Sequence, residues 1–191
     1  MLPGGIEIRE LDGGDRRLLA AALELLNATQ GRGWFADDYL TSRIGRPDAL
    51  CLVGLRGGEV VAVACAEIVR DLAYYEPFDA TIGQRLGGTK VGSLRTMSVR
   101  ADLQGRGIGT RLSRRRLAWL RAHGCAWALG VSWVSGLPGT SRPVFEKLGF
   151  APVREIAAFY RDAALRQPFA CPGCRQHPCV CPAILYQLRL S

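Results

Sequence analysis

At 191 residues, 48% hydrophobic and 22% charged, the chain has enough material for one well-buried core and too little for two. A single domain over 1–191 is therefore expected. The formal net charge of +8 comes almost wholly from arginine, because lysine occurs only at Lys90 and Lys147. Such a surface favours phosphate-bearing molecules, nucleic acid or an acidic membrane surface without singling one out. No apolar run approaches the roughly 18 residues of a membrane span, and the opening MLPGGIEIRELDGG lacks a charged and then apolar leader. A cytoplasmic protein with no membrane partner is expected.

In chain order, Gly5 to Leu11 alternates through Ile6 and Ile8 and suits a first strand. A helix capped by Asp15 follows, with Leu18, Leu19, Ala22, Leu23, Leu25 and Leu26 on its apolar face, ending near Asn27 and the Gly31 to Gly33 turn. A second short helix is expected over Ala36 to Ile44, with Asp37 and Asp38 in its first turn. Ala49 to Leu55 and Val60 to Val69 read as a hairpin joined through Gly57 and Gly58. The stretch 70–90 interrupts this rhythm with Asp71, Tyr74, Tyr75, Glu76, Phe78 and Asp79, and reads as an insertion. It is either a surface loop packed on its own domain or a wall for a cationic group, since acids attract ammonium and ring faces hold cations.

Val91 to Val99 is strand-like, and Thr110 to His123 is helix-like, without Gly or Pro and rich in Leu, Arg and Ala. Between them lies Gln104, Gly105, Arg106, Gly107, Ile108, Gly109. Strand, glycine loop and helix make an anion site, because the backbone can approach a ligand closely and the first-turn N–H groups face it. The dinucleotide fingerprint fails, since its last glycine position holds Thr110, and no GxxxxGK string exists. What matches is Gln or Arg, two residues, Gly, one residue, then Gly or Ala. Here the sequence resembles the GNAT family of acyl-CoA N-acyltransferases. In that family the loop amides hold the pyrophosphate of acetyl-CoA, which implies a co-substrate role for Gln104, Gly105, Arg106, Gly107, Ile108, Gly109 and Thr110. The arginines of the following helix, Arg111, Arg114, Arg115, Arg116 and Arg121, read first as a solvated face.

Ala126 to Trp133 follows as a buried strand, and then SRPVFEKLGF. Phe145, Glu146, Lys147, Leu148, Gly149 and Phe150 resemble the family's second string, a short helix stopped by Gly before a strand. Two motifs with a strand between them imply an α/β (α+β) fold. Its mixed central sheet is splayed between the fourth and fifth strands and flanked by helices. Acetyl-CoA then sits in the opening, with its pantetheine bonded to backbone at Met97, Ser98 and Val99. The resemblance implies an acetyl-CoA-dependent N-acetyltransferase acting on a small-molecule or peptide primary amine by direct transfer.

The chain also departs from the family. Phe145 stands where many members place a Tyr that protonates the leaving thiolate, and LRTMSV lacks the carboxylate often used as a base. Glu67, Tyr75, Glu76 and Tyr160 are candidate replacements, each with a structural alternative.

The tail adds Cys171, Cys174, Cys179 and Cys181, four thiols within eleven residues beside His177. CxxC and CxC turns suit a closed tetrahedral zinc site, and such a site stabilises rather than catalyses. Two disulfides or a redox pair are the alternatives, but seven cysteines in all and no leader point to reduced thiols. Cys51, Cys65 and Cys125 lie in or beside apolar segments and read as core. With Ala158 to Arg166 helical and Ala183 to Leu190 a last strand, the cysteine loop falls between the final two strands, near the family's acceptor site. The competing function is a non-catalytic acyl-CoA sensor or nucleic-acid binder using the zinc loop. A tail with only Arg175 between its first and last Cys disfavours nucleic acid. A homodimer is compatible with the sequence, and the acceptor is not named by it.

Overall fold

Seven strands join one sheet in the order β1-β2-β3-β4-β5-β7-β6 in the computed structural model, which describes residues 5–190. Met1 to Gly4, where the start of the chain was read, and Ser191 lie outside the described residues. The strands are β1 (Ile6–Glu10), β2 (Ala49–Arg56), β3 (Glu59–Val69), β4 (Val91–Val99), β5 (Trp127–Trp133), β6 (Ala151–Ile156) and β7 (Ala183–Arg189). The helices are α1 (Arg16–Gln30), α2 (Ile82–Leu86), α3 (Ile108–Ala122), α4 (Arg142–Lys147) and α5 (Arg161–Arg166). No helix is long and apolar enough to cross a membrane among the described residues.

Every neighbouring pair is antiparallel except β4 and β5, which run parallel and pair only over Val91–Leu94 and Trp127–Gly130. Beyond that short ladder the two strands part, so the mixed sheet is splayed between its fourth and fifth strands, as the resemblance implies. A bulge explains where β4 turns away. Ala64 faces Met97 while Ala66 faces Leu94, so Cys65 alone opposes Arg95 and Thr96. An extra residue bends its strand and raises the local twist.

Helix α1 covers one face, packing Leu18, Leu19, Ala22 and Leu26 on Val53, Val63 and Cys65. Asp15 starts it, its Oδ1 accepting a 3.0 Å hydrogen bond from the Leu18 N–H. The opposite face carries α3 and α4, with Leu112, Leu120 and Phe145 against Leu94 and Ala128. Two helix expectations are corrected. Helix α1 continues past Asn27 to Gln30, and 36–44 forms successive turns rather than a helix. In that segment Thr41 and Ser42 hydroxyls donate to the Asp38 and Tyr39 carbonyls, competing with a regular helical ladder. The stretch 70–90 is ordered as a 3₁₀ turn at Ala73–Tyr75 followed by α2, and it buries Tyr75, Phe78, Ile82 and Leu86 against Val91, Leu129 and Leu185. It thus covers the half of the sheet that α1 does not reach.

Candidate functional site

The opening between β4 and β5 presents backbone. The Arg100 N–H donates to the Val61 carbonyl at 2.9 Å, which fixes the alternation of the antiparallel ladder: Ser98 with Val63 is a hydrogen-bonded pair, and Met97 and Val99 are not. Their N–H and C=O groups point away from β3, into the opening. The carbonyls have partners there, since Gln30 Nε2 donates to Met97 at 3.1 Å and Gln104 Nε2 to Val99 at 3.0 Å. Gln30 also reaches Thr96 Oγ1 at 2.7 Å and Ser98 Oγ at 2.8 Å, so the end of α1 is tied to this edge. The Met97 and Val99 N–H groups are donors aimed at the gap.

On the α3 side of the opening lies the glycine loop. Gly105 and Gly107 adopt positive φ of 72° and 80°, and the space where a side chain would stand is open at both. Gly107 is the N-cap of α3, so the first-turn N–H groups of Ile108, Gly109 and Thr110 face outward beside exposed Arg106. Ile108 itself anchors the turn in the core.

Beneath the bulge sits Arg116, fully enclosed at 2% exposure. Reading it with its neighbours as solvated face is therefore corrected: it shares the buried stripe of Leu112 and Leu120. Its Nη1 donates to the Cys65 carbonyl at 3.0 Å and the Thr96 carbonyl at 3.4 Å, and its Nη2 to Ser113 Oγ at 2.8 Å. Its Nε has no partner among the described residues. Burial pulls the guanidinium down to about 10, against smaller opposing effects of Cys65 and Tyr39, so it is still cationic at neutral pH.

The other side of the opening is a cavity of about 290 Å³. Its floor is Ser93, Leu94, Arg95 and Thr96 of β4 with Val131 of β5, and its walls are rings from α1's exit turn, the 70–90 segment and Tyr160. Glu67 lies beside it between two arginines, Arg43 Nε at 2.7 Å and Arg95 Nε at 3.0 Å. Arg43 also stacks over Tyr39, its Cζ 3.9 Å from the ring centre. Tyr75 donates to Ser93 Oγ at 2.7 Å. Burial pushes the Tyr75 and Tyr160 hydroxyls up, so both hold their protons at neutral pH. Glu76 is exposed and is not part of the lining. Sequence reading missed Gln30, Trp34, Tyr39, Arg43 and Arg95, which carry no motif and meet only through the fold.

Phe145 is buried, stacked on Tyr186 with ring centres 5.0 Å apart, and its ring edge closes on the Gly130 backbone, where any side chain would collide. One turn before it, Ser141 donates to Ser132 Oγ of β5 at 2.9 Å, a hydroxyl pair that sequence reading also missed.

In the tail, the four sulfurs of Cys171, Cys174, Cys179 and Cys181 lie within 4.8 Å of one another and could hold a metal ion. Neighbouring Sγ atoms are 3.5 to 3.7 Å apart, far beyond the roughly 2.05 Å of a disulfide. Burial works against ionising the Cys174 thiol, but backbone hydrogen bonding at Val180 and Gln176 and the neighbouring thiols carry it down to about 6. Burial pushes Cys179 and Cys181 up. Trp133, Tyr160 and Phe169 pack on the cluster, and Phe169 and Tyr160 in turn meet Trp34 of the cavity at 4.6 and 5.6 Å. Cys51, Cys65 and Cys125 are buried.

A sheet opened beside a short parallel ladder, with a glycine-loop helix on one side and an aromatic-walled cleft on the other, is the architecture of an acyl-CoA-dependent N-acyltransferase. The acetyltransferase (GNAT) family matches residues 18–150, well over half of the chain, and the chain belongs to that family. No curated protein matches it by sequence. Among solved structures, it is similar to a ribosomal-protein alanine N-acetyltransferase from Escherichia coli, with TM-score 0.65, 18% identity, and 97% of this chain and 94% of that one covered. It is also similar to a polyamine N-acetyltransferase from Drosophila melanogaster, with TM-score 0.67, 18% identity and coverages of 96% and 99%. A chain of the NatC complex bound to Gag peptide and CoA superposes with TM-score 0.69 at 11% identity, covering 98% and 99%. At these identities the likeness is one of fold.

Proposed function

We propose that the chain transfers an acetyl group from acetyl-CoA to a primary amine by direct attack. The observation that carries this reading is the pair of N–H groups at Met97 and Val99, aimed into an opening that ends at the glycine loop. Gln104, Gly105, Arg106, Gly107, Ile108, Gly109 and Thr110 would receive the pyrophosphate, and Met97 and Val99 the pantetheine and thioester, while Ser98, paired with Val63, holds the strand between them. A Met97 N–H on the thioester oxygen stabilises the oxyanion as the amine nitrogen attacks. The carbon–sulfur bond then breaks and CoA leaves as thiolate. Phe145 has no proton to give, so the thiolate takes its proton from water.

Glu67, shared by two guanidiniums, orients Arg95 rather than collecting protons, and Tyr75 and Tyr160 are held protonated. The amine's proton therefore leaves through water. A missing positioned base costs about 10² to 10⁴ in rate and does not forbid transfer.

The four-cysteine loop is proposed to bind structural Zn²⁺. Tetrahedral Zn–S bonds of about 2.3 Å require sulfurs roughly 3.8 Å apart; three of the pairs stand at 3.5 to 3.7 Å and all four sulfurs lie within 4.8 Å of one another, close to that arrangement. With all four positions taken by cysteine thiolates, such an ion would hold the tail and do no chemistry.

Incubating the purified protein with acetyl-CoA and a panel of amines tests the reaction. Free thiol should appear only when an amine is added, mole for mole with an acetylated amine seen by mass spectrometry. Thiol release that is independent of amine, or absent with every amine, would contradict it.

A further inference from the structure

We infer that the acceptor is a small primary amine on an aromatic body that also carries a carboxylate, received by Arg95; this rests on the acyltransferase reading above. Size is the first support. A cavity of about 290 Å³ stands at the lower end of small-molecule pockets, roughly 300 to 1,000 Å³, and suits a compact ligand better than a folded-out peptide.

The walls give the second. Trp34, Phe35, Tyr39, Tyr74, Tyr75 and Tyr160 surround the space, and aromatic walls pay best when they enclose another ring in edge or offset contact.

Charge gives the third. Arg95 is the one charged residue in the lining among the described residues. Its counter-ion Glu67 is divided with Arg43, so two guanidiniums share one carboxylate and the cluster keeps one positive charge in excess. The acids that the sequence offered for a cationic acceptor lie elsewhere. Asp71 and Glu76 are exposed outside the lining, and Asp79 is held by Arg85 at 2.7 Å. A ligand with a second ammonium finds no carboxylate to neutralise it and a guanidinium that repels it. A carboxylate meets the planar donor fork that suits it.

Four probe amines decide the matter when kcat/KM is measured by thiol release at saturating acetyl-CoA: phenylalanine, phenethylamine, alanine and spermidine. Phenylalanine should exceed phenethylamine and alanine at least tenfold each, and spermidine by more. In Arg95→Gln its lead over phenethylamine should vanish while KM for acetyl-CoA stays put. Because Arg95 also braces Glu67, Arg95→Lys provides a gentler variant that should keep part of the lead. Spermidine or phenethylamine equal to or better than phenylalanine in the wild type overturns the acceptor assignment and leaves the acyltransferase intact. No thiol release with these or any other amine overturns the acyltransferase reading and this inference with it.

Discussion

At the scale of single residues, Arg116 is the side chain whose energetics demand an account. A buried cation without a carboxylate costs several kcal/mol in desolvation, yet its hydrogen bonds satisfy the Cys65 and Thr96 carbonyls that the bulge releases from the ladder. Such unmet carbonyls cost about 1–3 kcal/mol each, so the two contributions to stability nearly cancel. What remains is position: the guanidinium fixes the bulge that turns the Met97 N–H into the opening. Arg116→Met should therefore shift the melting temperature by only a few degrees, about 2–4 °C per kcal/mol at this size, and lower kcat tenfold or more. Unchanged kcat in a folded variant would contradict this. In the sequence, Arg116 hides within Arg114, Arg115 and Arg116. Its helical phase with Leu112 and Leu120 was legible, but charge argued for solvent and the bulge that pulls it inward was invisible.

Among elements, the 70–90 segment and the cysteine loop act together. Tyr75, Phe78, Ile82 and Leu86 are spaced three and four residues apart, a helical stripe that could have been read as a core-facing cover, but the acids and glycines around it suggest a loose insertion. The cysteine pattern was fully legible, because ligand spacing is local. Its neighbours were not, since Trp133, Phe169 and Tyr160 join the thiols to Trp34 only in the fold. If the loop holds zinc and braces this aromatic wall, elemental analysis should find one zinc per chain. Stripping it with a chelator should then raise KM for the amine on the order of tenfold, about 1.4 kcal/mol, with little change for acetyl-CoA. Equal loss of both, or no zinc in protein purified without chelator, would remove the clasp.

Across the whole molecule, two half-sheets share only the short β4–β5 ladder, and the gap beyond it is the proposed active centre. Both family strings, Gln104 to Gly109 and Phe145 to Phe150, are contiguous, so the fold was legible in the sequence, and the proposed donor side rests on the first of them. The cavity proposed for the acceptor was not, because its lining comes from positions as distant as Gln30, Arg95 and Tyr160. The donor side is also where a single backbone position can be tested. Gly107 caps α3 at φ 80° with open space beyond it, so a valine there meets no neighbouring atom, carries about 1–3 kcal/mol of backbone strain, and puts its methyl groups where the proposed pyrophosphate would sit. Losing one or two charge-assisted hydrogen bonds, at about 1.5–3 kcal/mol each, should weaken acetyl-CoA binding tenfold or more. Calorimetric titration of acetyl-CoA into the wild type and into folded Gly107→Val should show that loss; equal affinity for the two proteins would mean that the co-substrate does not bind at this loop.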